Sequence, residues 1–182
     1  RQKAGGPVRC LQHRGEYLFV AEGKGGFMVY DIASIANKGF SERIITAPFS
    51  PLGHNPRVKS KNATCMALAT TQPVNPLKNT PEMNAMNQEQ DMHPIYRYAV
   101  ITDAEEGLIL TDITTFGDGE PRNNFLKRAV TWNEGSVLTG ASHITLAGYL
   151  AYITTPEGIV VVDLNDPLKP QYVSTTPLPG AR

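Results

Sequence analysis

Short apolar stretches, each interrupted by a glycine, recur three times along the chain. The segments 17–32, 98–113 and 149–164 align without a gap, and each predicts two short strands joined by a turn. Every segment has a tyrosine, a glycine nine residues later and an aspartate five residues beyond that glycine. These markers are Tyr17, Gly26 and Asp31; Tyr98, Gly107 and Asp112; and Tyr149, Gly158 and Asp163. One hairpin that recurs in this way predicts a repeat protein.

The predicted strands of these hairpins are apolar on both faces. Ile159 and Val161 alternate with Val160 and Val162, and the earlier segments show the same arrangement. A sheet with one face in water would alternate apolar with polar residues, so we expect these strands to be covered on both sides. Sheets that stack face to face around an axis, as the blades of a β-propeller do, supply such cover.

A further predicted strand flanks each hairpin on either side. The preceding strands are predicted near Cys10–His13, Thr64–Ala69 and His143–Leu146, and the following strands near Arg43–Thr46, Leu126–Thr131 and Gln171–Thr175. The sequence therefore predicts an all-β chain, a β-propeller or partial propeller with at least three four-stranded antiparallel blades. The blades are expected at approximately 8–50, 60–132 and 137–177, within a single segment 1–182.

The second repeat contains an insertion from about Pro73 to Pro94. It is rich in Pro, Asn, Gln and Met and has neither a strand nor a helix period, so we expect an irregular excursion between two strands. Propellers typically have at least four blades, so either a degenerate blade is hidden or further blades lie elsewhere. Because the chain starts at Arg1 without an apolar leader and stops just after a Pro-rich turn, we expect a piece of a longer protein.

Composition and charge exclude several partner classes. Lys and Arg number 17 against 17 Asp and Glu, and nucleic-acid binding needs clustered basic residues, so no nucleic acid is expected. The apolar runs are far shorter than the roughly 20 residues of a membrane helix, so no transmembrane segment is expected. The sequence has no C-x-x-C-H motif for covalent c-type haem, and no catalytic motif that would assign catalytic residues.

The third repeat carries a family resemblance. Residues 158–170, Gly-Ile-Val-Val-Val-Asp-Leu-Asn-Asp-Pro-Leu-Lys-Pro, resemble the LVIVD repeat, a bacterial and archaeal propeller-type repeat. The stretches 34–40, 46–53 and 139–145 are similar to the propeller part of large exported proteins that often carry c-type haem domains. The resemblance implies export, to the periplasm or beyond the cell, and a redox neighbourhood. It transfers no catalytic residue.

The insertion concentrates side chains that bind metals: Met83, Met86, Met92 and His93. Thioethers together with an imidazole suit Cu(I), and Met or His also serves as an axial ligand of haem. Methionine equally fills irregular packing surfaces. A docking or covering loop is therefore the alternative to a copper or haem contact.

The two cysteines occupy equivalent positions in the first two repeats. Cys10 and Cys65 begin innermost strands, and His143 lies one residue out of register with Cys10 in the third repeat. We expect all three residues to line the central channel. Two separate buried thiols are the default, and a disulfide in an oxidising compartment is the alternative. For His143, a hydrogen-bonded core role is the alternative to ligand binding.

Two functions of different classes follow from these patterns. The first is a non-catalytic scaffold or interaction module of a larger exported, electron-transfer-associated protein, with other domains, a partner protein or a second copy as its partner. The alternative is a redox subunit in which the channel or the insertion supplies ligands to a metal or haem. A partial propeller leaves uncovered faces at its ends, and we expect residues such as Phe27, Val29, Val160 and Val162 to line them.

Overall fold

Three antiparallel sheets form the part of the chain that the structure describes. This computed structural model describes residues 4–32, 55–70, 80–85, 92–118 and 123–178. The strands are β1 (Cys10–Arg14), β2 (Tyr17–Ala21), β3 (Phe27–Asp31), β4 (Arg57–Val58), β5 (Ala63–Leu68), β6 (Tyr98–Asp103), β7 (Gly107–Asp112), β8 (Lys127–Trp132), β9 (His143–Ala147), β10 (Leu150–Thr155), β11 (Gly158–Asp163) and β12 (Gln171–Pro177). In each sheet four strands pair in chain order, β1–β4, β5–β8 and β9–β12. The predicted all-β fold of four-stranded antiparallel blades is confirmed, and the arrangement is a partial β-propeller.

The helices among the described residues are short. One helix, α1 (Pro81–Ala85), lies between β5 and β6. Single 3-10 turns lie at Pro94–Arg97, Thr114–Phe116 and Glu134–Ser136. These elements connect strands and add no layer to the fold.

The second sheet lies between the other two. Ile101 and Ile109 on one of its faces belong to an apolar cluster with the first sheet. Val100 and Leu108, their neighbours along the strands, belong to a cluster with the third sheet. Successive side chains of a strand point to opposite faces, so strands that are apolar at every position suit a sheet covered on both sides.

Within the part of the chain that the structure describes, the third sheet is covered on one face. Along β11, Val160 and Val162 are buried, whereas Ile159 and Val161 are half-buried. Tyr152 pairs with Val161 across β10 and β11 and is 41% exposed. This hairpin thus has more apolar side chains than the described residues bury.

The residues expected at the uncovered faces are different from those observed. Phe27 and Val29 are buried in the cluster between the first and second sheets, and Val160 and Val162 are buried in the cluster between the second and third. The expectation that these four line uncovered faces is wrong. A two-sided apolar pattern does not say which of the two sides meets the neighbouring sheet, so the choice between them needed the structure.

The flanking strands agree with the prediction to within two residues wherever the structure describes them. The strand predicted near Arg43–Thr46 lies outside the described residues. The outer strand observed in the first sheet is β4, where Arg57 pairs with Met28 and Val58 pairs with Phe27. The first sheet therefore extends beyond residue 50, where the first repeat was expected to end.

The third hairpin differs from the others in register. Its turn has only Pro156 and Glu157 between the paired residues, and Leu150 rather than Tyr149 lies opposite Asp163. In the first two hairpins the marker tyrosine lies opposite the marker aspartate. The ungapped sequence alignment thus conceals a shift of one residue in the third repeat.

Candidate functional site

The innermost strands of the three sheets, β1, β5 and β9, line a cavity of about 260 Å³. Its walls include Cys10 and Gln12 of β1, Cys65 of β5, and His143 and Thr145 of β9. One innermost strand comes from each sheet, so this cavity marks the central channel of the partial propeller. The structure places the three residues predicted to line the channel around this one cavity.

Cys10 and Cys65 form a disulfide, with their Cα atoms 4.8 Å apart. The default of two separate buried thiols is therefore wrong. The bond joins β1 of the first sheet to β5 of the second, because stacking brings these innermost strands side by side. The two cysteines are 55 residues apart in sequence, and sequence alone did not give the distance between their side chains.

His143 lies beside this disulfide. Its Nδ1 is 3.4 Å from Sγ of Cys65, and one ligand atom from each of the three residues lies within 4.8 Å of the others. Cys65 is 1% exposed, Cys10 is half-buried and His143 is exposed. The three side chains, one from each sheet, therefore form a group that extends from the core to the surface; we call it the Cys10–Cys65–His143 cluster.

Hydrogen bonds within the second sheet and between the second and third sheets hold this cluster in place. Thr64, next to Cys65, donates from its hydroxyl to the carbonyl oxygen of Ala141 at 2.8 Å, just before β9 begins. The backbone N–H of Cys65 donates to the hydroxyl of Thr102 at 3.1 Å. The first bond sets the position of β9, and hence of His143, relative to β5, and the second fixes Cys65 relative to β6.

A fully buried polar side chain lies at the turn end of each hairpin, and the sequence predictions did not include it. The three residues are Glu22, Asp103 and Thr155. Asp103 accepts backbone N–H donors from Glu105 and Glu106 at 2.8 and 2.9 Å, and Thr155 donates to the carbonyl of Gly158 at 3.1 Å. The available signal was an acidic residue five positions after the marker tyrosine in two repeats.

Glu22 connects the segment before β1 to β3 and β4 of the first sheet. Its carboxylate accepts the backbone N–H of Gly5 at 2.7 Å, Nη1 of Arg57 at 2.8 Å and the hydroxyl of Tyr30. Burial raises the pKa of Glu22, but these hydrogen bonds and the Arg57 charge outweigh burial and hold the pKa below its ordinary value. Burial and the adjacent carboxylate raise the pKa of Tyr30. Glu22 is therefore an ionised structural anchor.

Glu106 and Arg128 form a second ion pair, at the outer part of the second sheet. Nη1 of Arg128 donates to Oε2 of Glu106 at 2.6 Å, and Oε1 accepts the backbone N–H of Lys61 at 2.8 Å. The Arg128 guanidinium also donates to the carbonyl oxygen of Lys59. Hydrogen bonding from Arg128 is the main reason that the pKa of Glu106 lies below its ordinary value. This pair connects β8 to the segment that follows β4.

Among the described residues, the metal-binding candidates of the insertion do not come together at one site. His93 is buried and stacks on Tyr149; its Nδ1 accepts the N–H of Ile95 at 3.1 Å, and its Nε2 lies 3.1 Å from Oδ1 of Asn165. Met92 is exposed. The position of Met86 and the side chain of Met83 lie outside the described part of the chain. Both ring nitrogens of His93 thus take part in hydrogen bonds within the protein.

The repeat markers lie at turns and in the cores between sheets. Gly26, Gly107 and Gly158 all have positive φ, and a Cβ on each would collide with the neighbouring outer strand or the residue just after it.

The marker aspartates and tyrosines make local contacts. Asp112 and Asp163 each accept the backbone N–H of the residue two positions later, at 2.8 and 2.7 Å. Among the tyrosines, Tyr17 packs edge-on against Phe116 and accepts from Asn124 at 2.9 Å. Tyr98 packs at the edge of the cluster between the second and third sheets. These placements give the markers contacts that maintain the fold.

One family comparison bears on this architecture. The LVIVD repeat model matches residues 5–46 and 140–176. The first match contains β1 to β3 and the second contains most of the third sheet. The second sheet lies outside both matches, although its strand order and pairing are the same. Two regions of the chain thus match the LVIVD repeat, within a propeller-like fold of three sheets.

No curated protein and no solved structure matches this chain significantly. Among the described residues, no helix has the length and apolar character needed to cross a bilayer.

Proposed function

We propose that this chain is a non-catalytic scaffold that docks a further four-stranded sheet of the same kind onto its third sheet. The docking surface, which we call the free face, consists of Leu150, Tyr152, Ile159 and Val161. These residues are exposed or half-buried on the side of the third sheet away from the second. The half-exposed apolar face of an otherwise two-sided apolar hairpin is the observation that carries the proposal.

The second sheet shows how fully such strands are buried when sheets pack on both of their faces. In its hairpin, every residue of β6 after the first and every residue of β7 before the last is buried, because sheets pack on both sides. In the third sheet, burial instead alternates along β10 and β11. Full burial of one Val, Leu or Ile is worth about 1.5–3 kcal/mol relative to exposure, so covering the free face would be favourable.

The occupant follows from the way the sheets already stack. The second sheet covers the first, and the third covers the second, through apolar side chains that alternate between two clusters. A fourth sheet on the free face would continue this series. Another sheet of this repeat type therefore fits the surface better than a helix or a peptide.

The proposed setting is an exported protein associated with electron transfer. The Cys10–Cys65 disulfide supports an oxidising compartment. The association with electron transfer, and with haem or copper, rests on the sequence resemblance. The hydrogen bonds of His93 do not favour it as a copper or haem ligand.

Light scattering over a series of protein concentrations tests the proposal. A second copy supplies sheets of the required kind, so the purified chain is expected to self-associate as its concentration rises. Val161→Lys places a charge in the free face and should give a monomer, whereas Leu168→Lys, at an exposed turn position, should associate like the unaltered chain. A monomer at every concentration, or association of Val161→Lys equal to that of the unaltered chain, would refute the proposal.

A further inference from the structure

We propose that the Cys10–Cys65–His143 cluster is a redox-gated site for a thiophilic divalent ion, Zn²⁺ being the clearest case. When the disulfide is reduced, two cysteine sulfurs and one imidazole nitrogen become available around the mouth of the channel. Thiolate and imidazole are the ligands that Zn²⁺ prefers in proteins, and a set of two cysteines and one histidine is a known ligand type.

The distances in the cluster suit such a site. Nδ1 of His143 lies 3.4 Å from Sγ of Cys65, and a tetrahedral ion with Zn–S and Zn–N bonds near 2.3 and 2.05 Å would hold these two atoms about 3.6 Å apart. The two sulfurs would separate to about 3.8 Å on the same geometry. Rotation of the half-buried Cys10 side chain can supply that separation once the sulfur–sulfur bond is broken.

The surroundings leave a route for an ion and space beside it. His143 is exposed and Cys10 is half-buried, and both line the cavity of about 260 Å³. The cavity leaves room for water in the fourth coordination position, as in zinc sites with three protein ligands. Because each ligand belongs to a different sheet, a bound ion would join all three sheets, whereas the disulfide joins two.

The chemistry balances with a thiol donor as reductant. Two donor thiols reduce the Cys10–Cys65 bond by thiol–disulfide exchange; two cysteine thiols form, and the donors leave joined as a disulfide. Zn²⁺ then replaces the two thiol protons, which pass to water. Metal binding and disulfide formation exclude each other because both use the same two sulfurs.

Metal titration of the full chain in both redox states tests the site. The chain is reduced, freed of reductant without oxygen, and titrated with Co²⁺ as an absorbing substitute for Zn²⁺, followed by Zn²⁺ competition against a chromophoric chelator. We expect one ion per reduced chain, a thiolate-to-cobalt charge-transfer band, and no such binding by the oxidised chain.

Variants assign the ligands. His143→Gln retains both cysteines and should weaken Zn²⁺ binding at least about tenfold, whereas His13→Gln, an exposed position of β1 outside the cluster, should bind like the unaltered chain. Cys65→Ser should lose the charge-transfer band. The proposal is overturned if the oxidised chain binds as well as the reduced one, or if His143→Gln binds equally tightly. It is also overturned if the reduced chain unfolds and Zn²⁺ does not restore its circular dichroism spectrum.

Discussion

At the scale of single residues, Glu22 shows how a buried charge becomes a structural element. It has no solvent exposure, and an ionised carboxylate in that position requires donors on both oxygens. A backbone N–H, a guanidinium and a phenol supply them from three different places in the sequence. The carboxylate therefore stabilises the first sheet in its ionised form only.

The pH dependence of stability should reveal this residue. Because the pKa of Glu22 is lower in the folded chain than in the unfolded one, its contribution is complete above the ordinary carboxyl pKa of about 4.3. It is lost as the pH falls through the lower folded pKa. Glu22→Gln should lower the free energy of unfolding by about 1–3 kcal/mol near pH 7. The unfolding free energy of this variant, measured with urea, should also fall less steeply as the pH is lowered into the acid range. Glu157→Gln, in an exposed turn, should change neither, and an equally steep acid limb in Glu22→Gln would contradict the assignment.

His93 is a second residue whose contacts predict a measurable effect. It connects the end of the insertion to the third sheet through Asn165 and Tyr149. His93→Ala should lower the free energy of unfolding by about 1–3 kcal/mol, since it leaves the buried N–H of Ile95 without its acceptor. His13→Ala, at an exposed site, should stay within about 0.5 kcal/mol of the unaltered chain. Equal unfolding free energies for the two variants would show that His93 has no structural role.

At the scale of the element, each hairpin turn is fitted to its outer strand. The marker glycine lies where the turn meets the outer strand, close enough that only a hydrogen atom fits at the Cβ position. A side chain at Gly26 would meet the carbonyl oxygen of Val58, at the end of β4. The glycine thus allows both the positive φ and the close approach of the two backbones.

Two alanine substitutions distinguish the cost of the positive φ from the cost of the close approach of the two backbones. Gly15→Ala has the positive φ but open space around the new methyl group, and should cost about 1–2 kcal/mol. Gly26→Ala has the same conformational cost and in addition displaces β4, which adds about 1–3 kcal/mol of overpacking. Urea unfolding of both variants measures the difference. Equal losses would mean that β4 moves aside freely.

Sequence patterns located most of the strands but did not reveal the contacts between the sheets. Recurrent apolar stretches and turn glycines locate strands, because these signals depend on local backbone geometry, whereas the short strand β4 was not predicted. The disulfide and the position of His143 depend on how far one sheet lies from the next, which no local pattern records. Glu22 was missed for a related reason: its donors, Gly5, Tyr30 and Arg57, lie 17, 8 and 35 residues from it in sequence and converge only when the first sheet has formed.

At the scale of the whole molecule, three kinds of contact join the sheets. Apolar clusters lie between them, hydrogen bonds such as Gly23 to Ala63 and Thr64 to Ala141 cross between them, and the disulfide adds a covalent link. The covalent link is the contact that an experimenter can remove without changing a residue. Its removal therefore measures how much the covalent link between β1 and β5 adds to the free energy of unfolding.

Reduction should destabilise the fold without abolishing it. The chain-entropy estimate for a disulfide that closes a loop of this length is on the order of 4 kcal/mol. We expect reduction, with a chelator present to remove metal, to lower the free energy of unfolding measured in urea by an amount that approaches this value. The double variant Cys10→Ser, Cys65→Ser should behave like the reduced chain. An unchanged unfolding free energy on reduction would show that the disulfide adds nothing to the apolar clusters and hydrogen bonds that join the sheets.

The same bond has a consequence for covalent topology. Between Cys10 and Cys65 the chain contains most of β1, the whole of β2 to β4 and the first residues of β5, so the disulfide closes a ring around the first sheet. A peptide bond cut anywhere inside that ring would create two new termini but would not create two molecules. The oxidised protein would migrate as one piece in denaturing electrophoresis after such a cut, and only a reductant would release the two halves.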